Sequence, residues 1–291
     1  MKSPDVLLAT VPGGTWARAI GLLPAPLRDE VTLAYLLLRI ADTLEDEGQR
    51  PPQERCEALL AFRDVLAHSR LELARKLSVG WAAAFFTTDA ERALLLETGD
   101  ILKAVETLPS DIREQIHRHV ARTAHGMARA LRATDANGRL SFAWPEELID
   151  YCYAVAGIVG ELFTELFVLE QPRLRSVEEA LRARAMRFGE GIQLVNILRD
   201  SDEDARNGRC YLPPGTSWRK WAARARWGLQ GATEYTLLLK EAGADPGVVA
   251  FTSRPMRLAF SLLEQMDREG RPGVHLPQSQ LQTLLETPAS P

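Results

Sequence analysis

Cysteine is scarce in this chain: three in 291 residues, at Cys56, Cys152 and Cys210. Odd in number and far apart, they suggest neither a disulfide framework nor a zinc cluster, and a reducing compartment fits them. An excess of one charge is lacking too. Lys and Arg total 35 against 39 Asp and Glu, a net charge of −4, and the basic residues are scattered, so no nucleic-acid partner is expected. Only five histidines are present. His117 and His119 lie two apart and so diverge on a helix, and His125 aligns only loosely with His117, which argues against a histidine metal site. The uncharged run Tyr151 to Gly160 is too short to span a bilayer, and MKSPDVLLATVPGG has no signal-peptide core. No sustained period-two alternation announces strands. No GxGxxG follows a strand, so no Rossmann-type nicotinamide site is visible.

What is present reads as helix after helix. Apolar periodicity places helices at about 26–47, 53–68, 71–79, 90–107, 110–132, 144–169, from near 177 onward, and at 217–241, 248–269 and 278–285. Gly48 to Pro52 and Asp135 to Gly138 are turn signals. There is no internal repeat, and no linker is long enough to divide the chain into separate domains. An all-α fold with one domain over 1–291 is expected, of a size that buries a large core.

Two of these helices carry polar stripes. In GIQLVNILRDSDEDARNGRCYLP (191–213), Gln193, Asn196, Asp200 and Asp204 share one face at spacings of three, four and four, amid Ile192, Leu194, Val195, Ile197 and Leu198. Polar side chains among aliphatic ones are expensive to bury unless something pairs with them. The segment LAYLLLRIADTLEDE (33–47) answers with Tyr35, Arg39, Asp42 and Asp46 on one face. Each helix thus offers two aspartates one turn apart, roughly 6 Å along the axis. If the faces meet, four carboxylates converge, and a hard cation such as Mg²⁺ suits them, its shell completed by water and phosphate oxygens. Glu45 and Glu203, each one residue before the second aspartate, are within reach of a metal or of water. Arg39 and Arg199 are placed to add charge-assisted hydrogen bonds. Arg199 points about 100° away from Asp200 on the helix, so a plain salt bridge is its competing role. Any single DxxxD is most often a solvated face; two, each in an apolar helix, are not.

These residues resemble the squalene/phytoene synthase family. YLLLRIADTLEDE is similar to its first aspartate motif in the DTxED spelling, and QLVNILRDSDEDARNGRCYLP to its second motif and following loop. YCYAVAGIVG (151–160) matches a third family helix. The three lie in the family's order, and the resemblance covers about residues 10 to 270, leaving 271–291 as a tail. It implies a class I isoprenoid synthase-type helical bundle around a central cavity. It further implies a Mg²⁺-dependent enzyme condensing two prenyl diphosphates head to head through a cyclopropyl diphosphate to squalene, dehydrosqualene or phytoene.

On that resemblance Asp42, Asp46, Asp200 and Asp204 hold metal, with Glu45 and Glu203 beside them. Tyr35, Arg39, Gln193, Asn196 and Arg199 meet the substrate, and Tyr151 works near the reacting carbons, the bland alternative being a core tyrosine. NADPH use stays open, since the family's reductive members lack a Rossmann motif. A cytoplasmic enzyme, peripheral to the membrane through its lipophilic substrate or product, is expected; oligomeric state is not readable. One departure stands out. About 29 residues before the first aspartate the family has a Ser-(Lys/Arg)-Ser/Thr-Phe segment that helps hold diphosphate; here the positions are Gly13-Gly14-Thr15-Trp16. Arg18 is the nearest cation to replace the missing one, the alternative being backbone N–H groups of the two glycines. Two other readings remain: a terpene cyclase acting on one diphosphate in the same cradle, and a non-catalytic scaffold homologue, which loss of the aspartates would have marked.

Overall fold

The computed structural model describes residues 8, 14–46, 50–86, 88–135 and 138–286. The helices that build the centre are α1 (Gly14–Ile20), α2 (Leu27–Asp46), α3 (Pro52–Ala67), α4 (Leu71–Ala84), α5 (Asp89–Leu96), α6 (Thr98–Val105) and α7 (Ser110–Ala130). After them come α8 (Pro145–Cys152), α9 (Ile158–Glu170), α10 (Glu178–Arg206), α11 (Trp218–Glu241), α12 (Pro246–Glu269) and α13 (Gln278–Glu286). The all-α expectation holds. Where one helix was expected over 90–107, the chain breaks at Glu97 into α5 and α6. The pairing of strands among the described residues is slight: β1 (Leu140–Ser141) and β2 (Arg209–Cys210) run parallel with Leu140 opposite Arg209. Two-residue strands carry no alternation for a sequence to show.

Helix α2 is apolar nearly all round, with Val31 to Leu38 all buried. A helix of that kind belongs in the interior, and α2 packs against α7, α3 and α6. On the far side α10 lies along α11. Gly191 and Gly228 let these two backbones touch, since a Cβ on Gly228 would stand 2.6 Å from the Gly191 Cα.

Between Cys152 and Ile158 the α8–α9 helix widens into one π turn, Tyr153–Gly157, an insertion often found at functional sites. It is held from outside. The Tyr153 hydroxyl donates to Glu161 Oε1 at 2.9 Å, and Arg122 donates to the Tyr153 hydroxyl at 2.6 Å and to Glu161 Oε2 at 2.7 Å. From the other side α10 presses close: a Cβ on Gly189 would meet the Ala156 carbonyl oxygen at 2.1 Å, and one on Gly160 the Ala185 oxygen at 2.4 Å. The glycines at 160 and 189 thus serve close approach. Taken whole, Pro145–Glu170 is long and apolar enough to cross a bilayer, which the shorter run 151–160 did not reveal. However, 56% of its most apolar window is buried inside the bundle, as suits a central core helix.

This packing has consequences for stability that can be measured. Glu30, 2% exposed at the start of α2, is pushed up to about 8 by burial first, then by the Glu170 carboxylate beside it, with Asp111 and Asp29 adding to the effect. Its ordinary value is about 4.5, so between pH 4.5 and 8 the folded state holds a proton that the unfolded chain has released, and stability must fall as pH rises through that window. The Tm measured from about pH 5 to 8 is expected to decline. Glu30→Gln, neutral throughout, is expected to flatten the decline and to melt higher than the parent at about pH 8. For Gly189→Ala, a methyl against a backbone carbonyl that cannot step aside is expected to cost about 1–3 kcal/mol by denaturant unfolding, whereas Gly80→Ala, with open space around its Cβ, is not destabilising.

Candidate active site

The helices enclose a cavity of about 840 Å³, within the size range of small-molecule sites. Both polar stripes face it. Tyr35, Arg39, Asp42, Glu45 and Asp46 from α2 line it, opposite Gln193, Asn196, Arg199, Asp200, Glu203 and Asp204 from α10, with Tyr151 from α8. Arg18 does not. It lies exposed on α1, about 200° around the helix from Trp16, which is the α1 residue on the cavity wall. The expectation that Arg18 replaces the missing cation is therefore corrected by its placement. Gly13 lies outside the described residues, while Gly14 opens α1.

At one end of the cavity the carboxylates have arginine partners. Arg39 donates to Asp42 at 2.9 Å. Arg199 holds Asp200 through two bonds of 2.7 and 2.5 Å, so it both pairs with its neighbour and lines the site. Arg209, absent from the residues that helical spacing singles out, lies between the helices: its Nη1 donates to Asp46 at 2.5 Å and its Nε stands 3.3 Å from Asp204. Its signal was available, the Arg that opens RCYLP five residues behind Asp204.

Burial raises Asp42 to about 6 against the pull of Arg39, with Asp46 adding repulsion. Its side chain is 33% accessible, but that surface opens into the cavity and the surrounding atoms are protein. Asp204 likewise rises to about 6, from burial opposed by Arg209 and aided by Asp200 and Asp46. Glu45 is 7% exposed with one oxygen unpartnered, and burial beside Asp46 and Asp42 raises it well above the usual range.

Tyr151 stacks on Tyr211 at 5.2 Å, and its hydroxyl donates to Glu45 across a long 3.4 Å. Burial first, then Glu45, push its phenol well above 10, so it is a neutral donor rather than a phenolate. Tyr211 was also missed by helical spacing.

Toward the opposite end the wall is aromatic. Trp16, Phe163 and Phe251 meet at centroid distances of 5.3 to 6.3 Å, Phe167 adjoins Phe251 at 5.8 Å, and Phe188 adjoins Tyr235 at 5.7 Å. At about 3.6 residues per turn throughout, Tyr151 would share a face with Val155, Ile158 and Leu162. In the structure Tyr151, Val155, Val159, Phe163 and Phe167 line the cavity, while Ile158 and Leu162 are buried off its wall. The extra residue of the π turn moves every later position by one.

Hard oxygen donors crowded with too few cations are what a divalent metal suits, and the raised Asp42 and Asp204 and the unpartnered Glu45 oxygen register that shortage. Among the described residues no three of His, Cys, Asp and Glu stand close enough to chelate one ion alone. The donor set therefore suits a divalent cation whose shell other ligands complete, and not a closed protein cage. Two of the histidines are otherwise engaged: His117 Nδ1 bonds with the Leu66 carbonyl at 2.6 Å and His119 Nδ1 with that of Gln115 at 2.9 Å.

Comparison with known proteins agrees with this architecture. The family model for squalene/phytoene synthase matches residues 12–216. Squalene synthase ERG9 of Candida albicans is 30% identical over 200 residues, 68% of this chain and 42% of that protein. The Saccharomyces cerevisiae squalene synthase is 29% identical over 217 residues, 73% of this chain and 45% of that one. The chain thus spans less than half the length of these fungal relatives. Among solved structures, a TcSQS complex with the ligand E5700 aligns over 98% of this chain and 84% of its own, at a TM-score of 0.73 and 22% identity. The squalene synthase HpnC of Alicyclobacillus acidocaldarius aligns over 92% and 94%, at 0.59 and 20%. At those identities the structures establish the shared fold. The family model's span, covering both aspartate helices and the Tyr151 helix, makes this chain a member of the squalene/phytoene synthase family.

Proposed function

We propose that the chain is a Mg²⁺-dependent prenyltransferase that joins two prenyl diphosphates, farnesyl diphosphate foremost, head to head through a cyclopropyl diphosphate intermediate. The observation that carries this reading is the two-ended cavity, with carboxylates and arginines at one end and aromatic rings at the other. An allylic diphosphate has the same division, a highly charged leaving group on an apolar tail.

Magnesium held by Asp42, Asp46, Asp200 and Asp204, with Glu45 and Glu203 in reach, would supply Lewis-acid neutralisation of the leaving diphosphate. Arg39, Arg199 and Arg209 offer guanidinium donors to its oxygens, and Asn196 and Gln193 orient them. Tyr151, a neutral phenol, presents its ring and hydroxyl to the reacting carbons. Trp16, Phe163, Phe188 and Phe251 wall off water from the carbocation and stabilise it through their π faces. The family assignment and the intact aspartates speak against a scaffold role. The missing cation near Gly14 favours, as a second reading, a cyclase using one diphosphate.

The direct test incubates the protein with farnesyl diphosphate and Mg²⁺, with and without NADPH, and identifies the product. A thirty-carbon hydrocarbon is expected; a cyclised fifteen-carbon product would move the assignment to the cyclase reading. Asp200→Asn is expected to lower turnover by about 10²–10³-fold, the scale of losing one electrostatic group at the transition state, with an unchanged melting curve. Full turnover in excess EDTA would remove the metal from the mechanism. For Tyr151→Phe, lower turnover or an altered product ratio is expected with little change in Tm. Lost stability with rate and products intact would make Tyr151 a packing residue.

A further inference from the structure

Arg209 holds a place different from that of the other cavity arginines. Arg39 and Arg199 each pair with an aspartate of their own helix. Arg209 spans the gap, with Asp46 of α2 on one side and Asp204 of α10 on the other. Its backbone is pinned: Leu140 N donates to the Gly208 carbonyl at 2.9 Å, and β2 pairs with β1. Its side chain is 22% exposed, and its Nε, although 3.3 Å from Asp204, is buried and makes no hydrogen bond of good geometry. The group is thus fixed at its root and incompletely satisfied at its tip.

We propose that Arg209 is a built-in counter-ion that occupies the cation position between the two aspartate helices in the ligand-free protein, so that a divalent cation binds well only when a diphosphate arrives to take the guanidinium over. The inference rests on the metal–diphosphate reading under Proposed function. A metal entering alone must displace Arg209 from Asp46 and Asp204 and leave a half-buried guanidinium without a partner, which is costly. A diphosphate removes that cost, because its oxygens accept from the same fork that the carboxylates release. Cation and diphosphate then bind with positive coupling, and neither helix has to hold its carboxylates uncompensated at any stage.

The test measures binding of Mn²⁺, an EPR-visible probe, to the intact chain with and without inorganic pyrophosphate. The parent protein is expected to bind Mn²⁺ weakly alone and about 5- to 150-fold more tightly with pyrophosphate, the usual span of a coupling between two ligands. Arg209→Gln, checked for folding by its melting curve, is expected to bind Mn²⁺ alone more tightly than the parent and to lose most of the pyrophosphate enhancement. Arg209→Lys, whose single ammonium cannot hold both carboxylates, is expected to fall between, and it carries the test if the Gln variant does not fold. Unchanged or weaker Mn²⁺ binding by the folded variant, while the parent still responds to pyrophosphate, would overturn the counter-ion role alone. A parent that takes up no Mn²⁺ even with pyrophosphate would overturn both this role and the reading of the site.

Discussion

Six carboxylates face one cavity, from Asp42, Glu45 and Asp46 on one helix and Asp200, Glu203 and Asp204 on another, and much of the molecule follows from keeping them there. Two unit charges about 4 Å apart repel by about 4 kcal/mol at the effective dielectric of a protein near its surface, so such a group cannot be assembled unaided. Three arginines, Arg39, Arg199 and Arg209, meet four of the six. The remaining deficit appears as protons, held to about pH 6 on Asp42 and Asp204. A site left short of positive charge by its own side chains is ready for a cationic or cation-bearing ligand. The same shortage explains why α2 must be buried so completely: its apolar faces supply the stabilisation that its charged face subtracts.

The aspartate helices were legible in the sequence because they obey one simple periodicity and run unbroken. Spacings of three and four within Tyr35–Asp46 and Gln193–Asp204 put every one of those residues on the cavity wall. Helix boundaries mostly came within a few residues for the same reason. Arg209 and Tyr211 escaped notice because they lie beyond the helix, on and just after a two-residue strand whose partner is 69 positions earlier, and nothing local encodes such a pairing. Arg18 failed in the opposite way. Nearness along the chain to Gly14 suggested a replacement cation, but helix geometry turns Arg18 outward where Trp16 turns inward.

The π turn is the instructive error. A helical wheel drawn through Tyr151 assumes about 3.6 residues per turn throughout, and one inserted residue rotates everything after it. Phe163 and Phe167 thereby enter the cavity and Leu162 leaves it. The cause is tertiary: the Tyr153 hydroxyl is held by Arg122 and Glu161, the latter eight residues on, while Gly189 lets α10 close on the widened Ala156 carbonyl. Neither contact is local enough for a periodicity argument to see. The extra residue is compatible with the helix only because partners on both sides accept its altered geometry.

Helix α10 ties the two ends of the cavity together. Phe188 stands near its middle and Asp204 near its end, 16 residues apart, which at about 1.5 Å per residue is about 24 Å. The separation between the charged and aromatic regions is therefore set by a rigid element rather than by loops. Its register is fixed twice, by the Gly189 contact with Ala156 and by the Gly191 contact with Gly228. A substitution that pushed α10 outward at either glycine would move Phe188 and the α10 carboxylates together, away from the aromatic residues and carboxylates that α2 and α9 contribute. The small residues on this helix thus act on the reach of the site, and the large charged ones on what it holds.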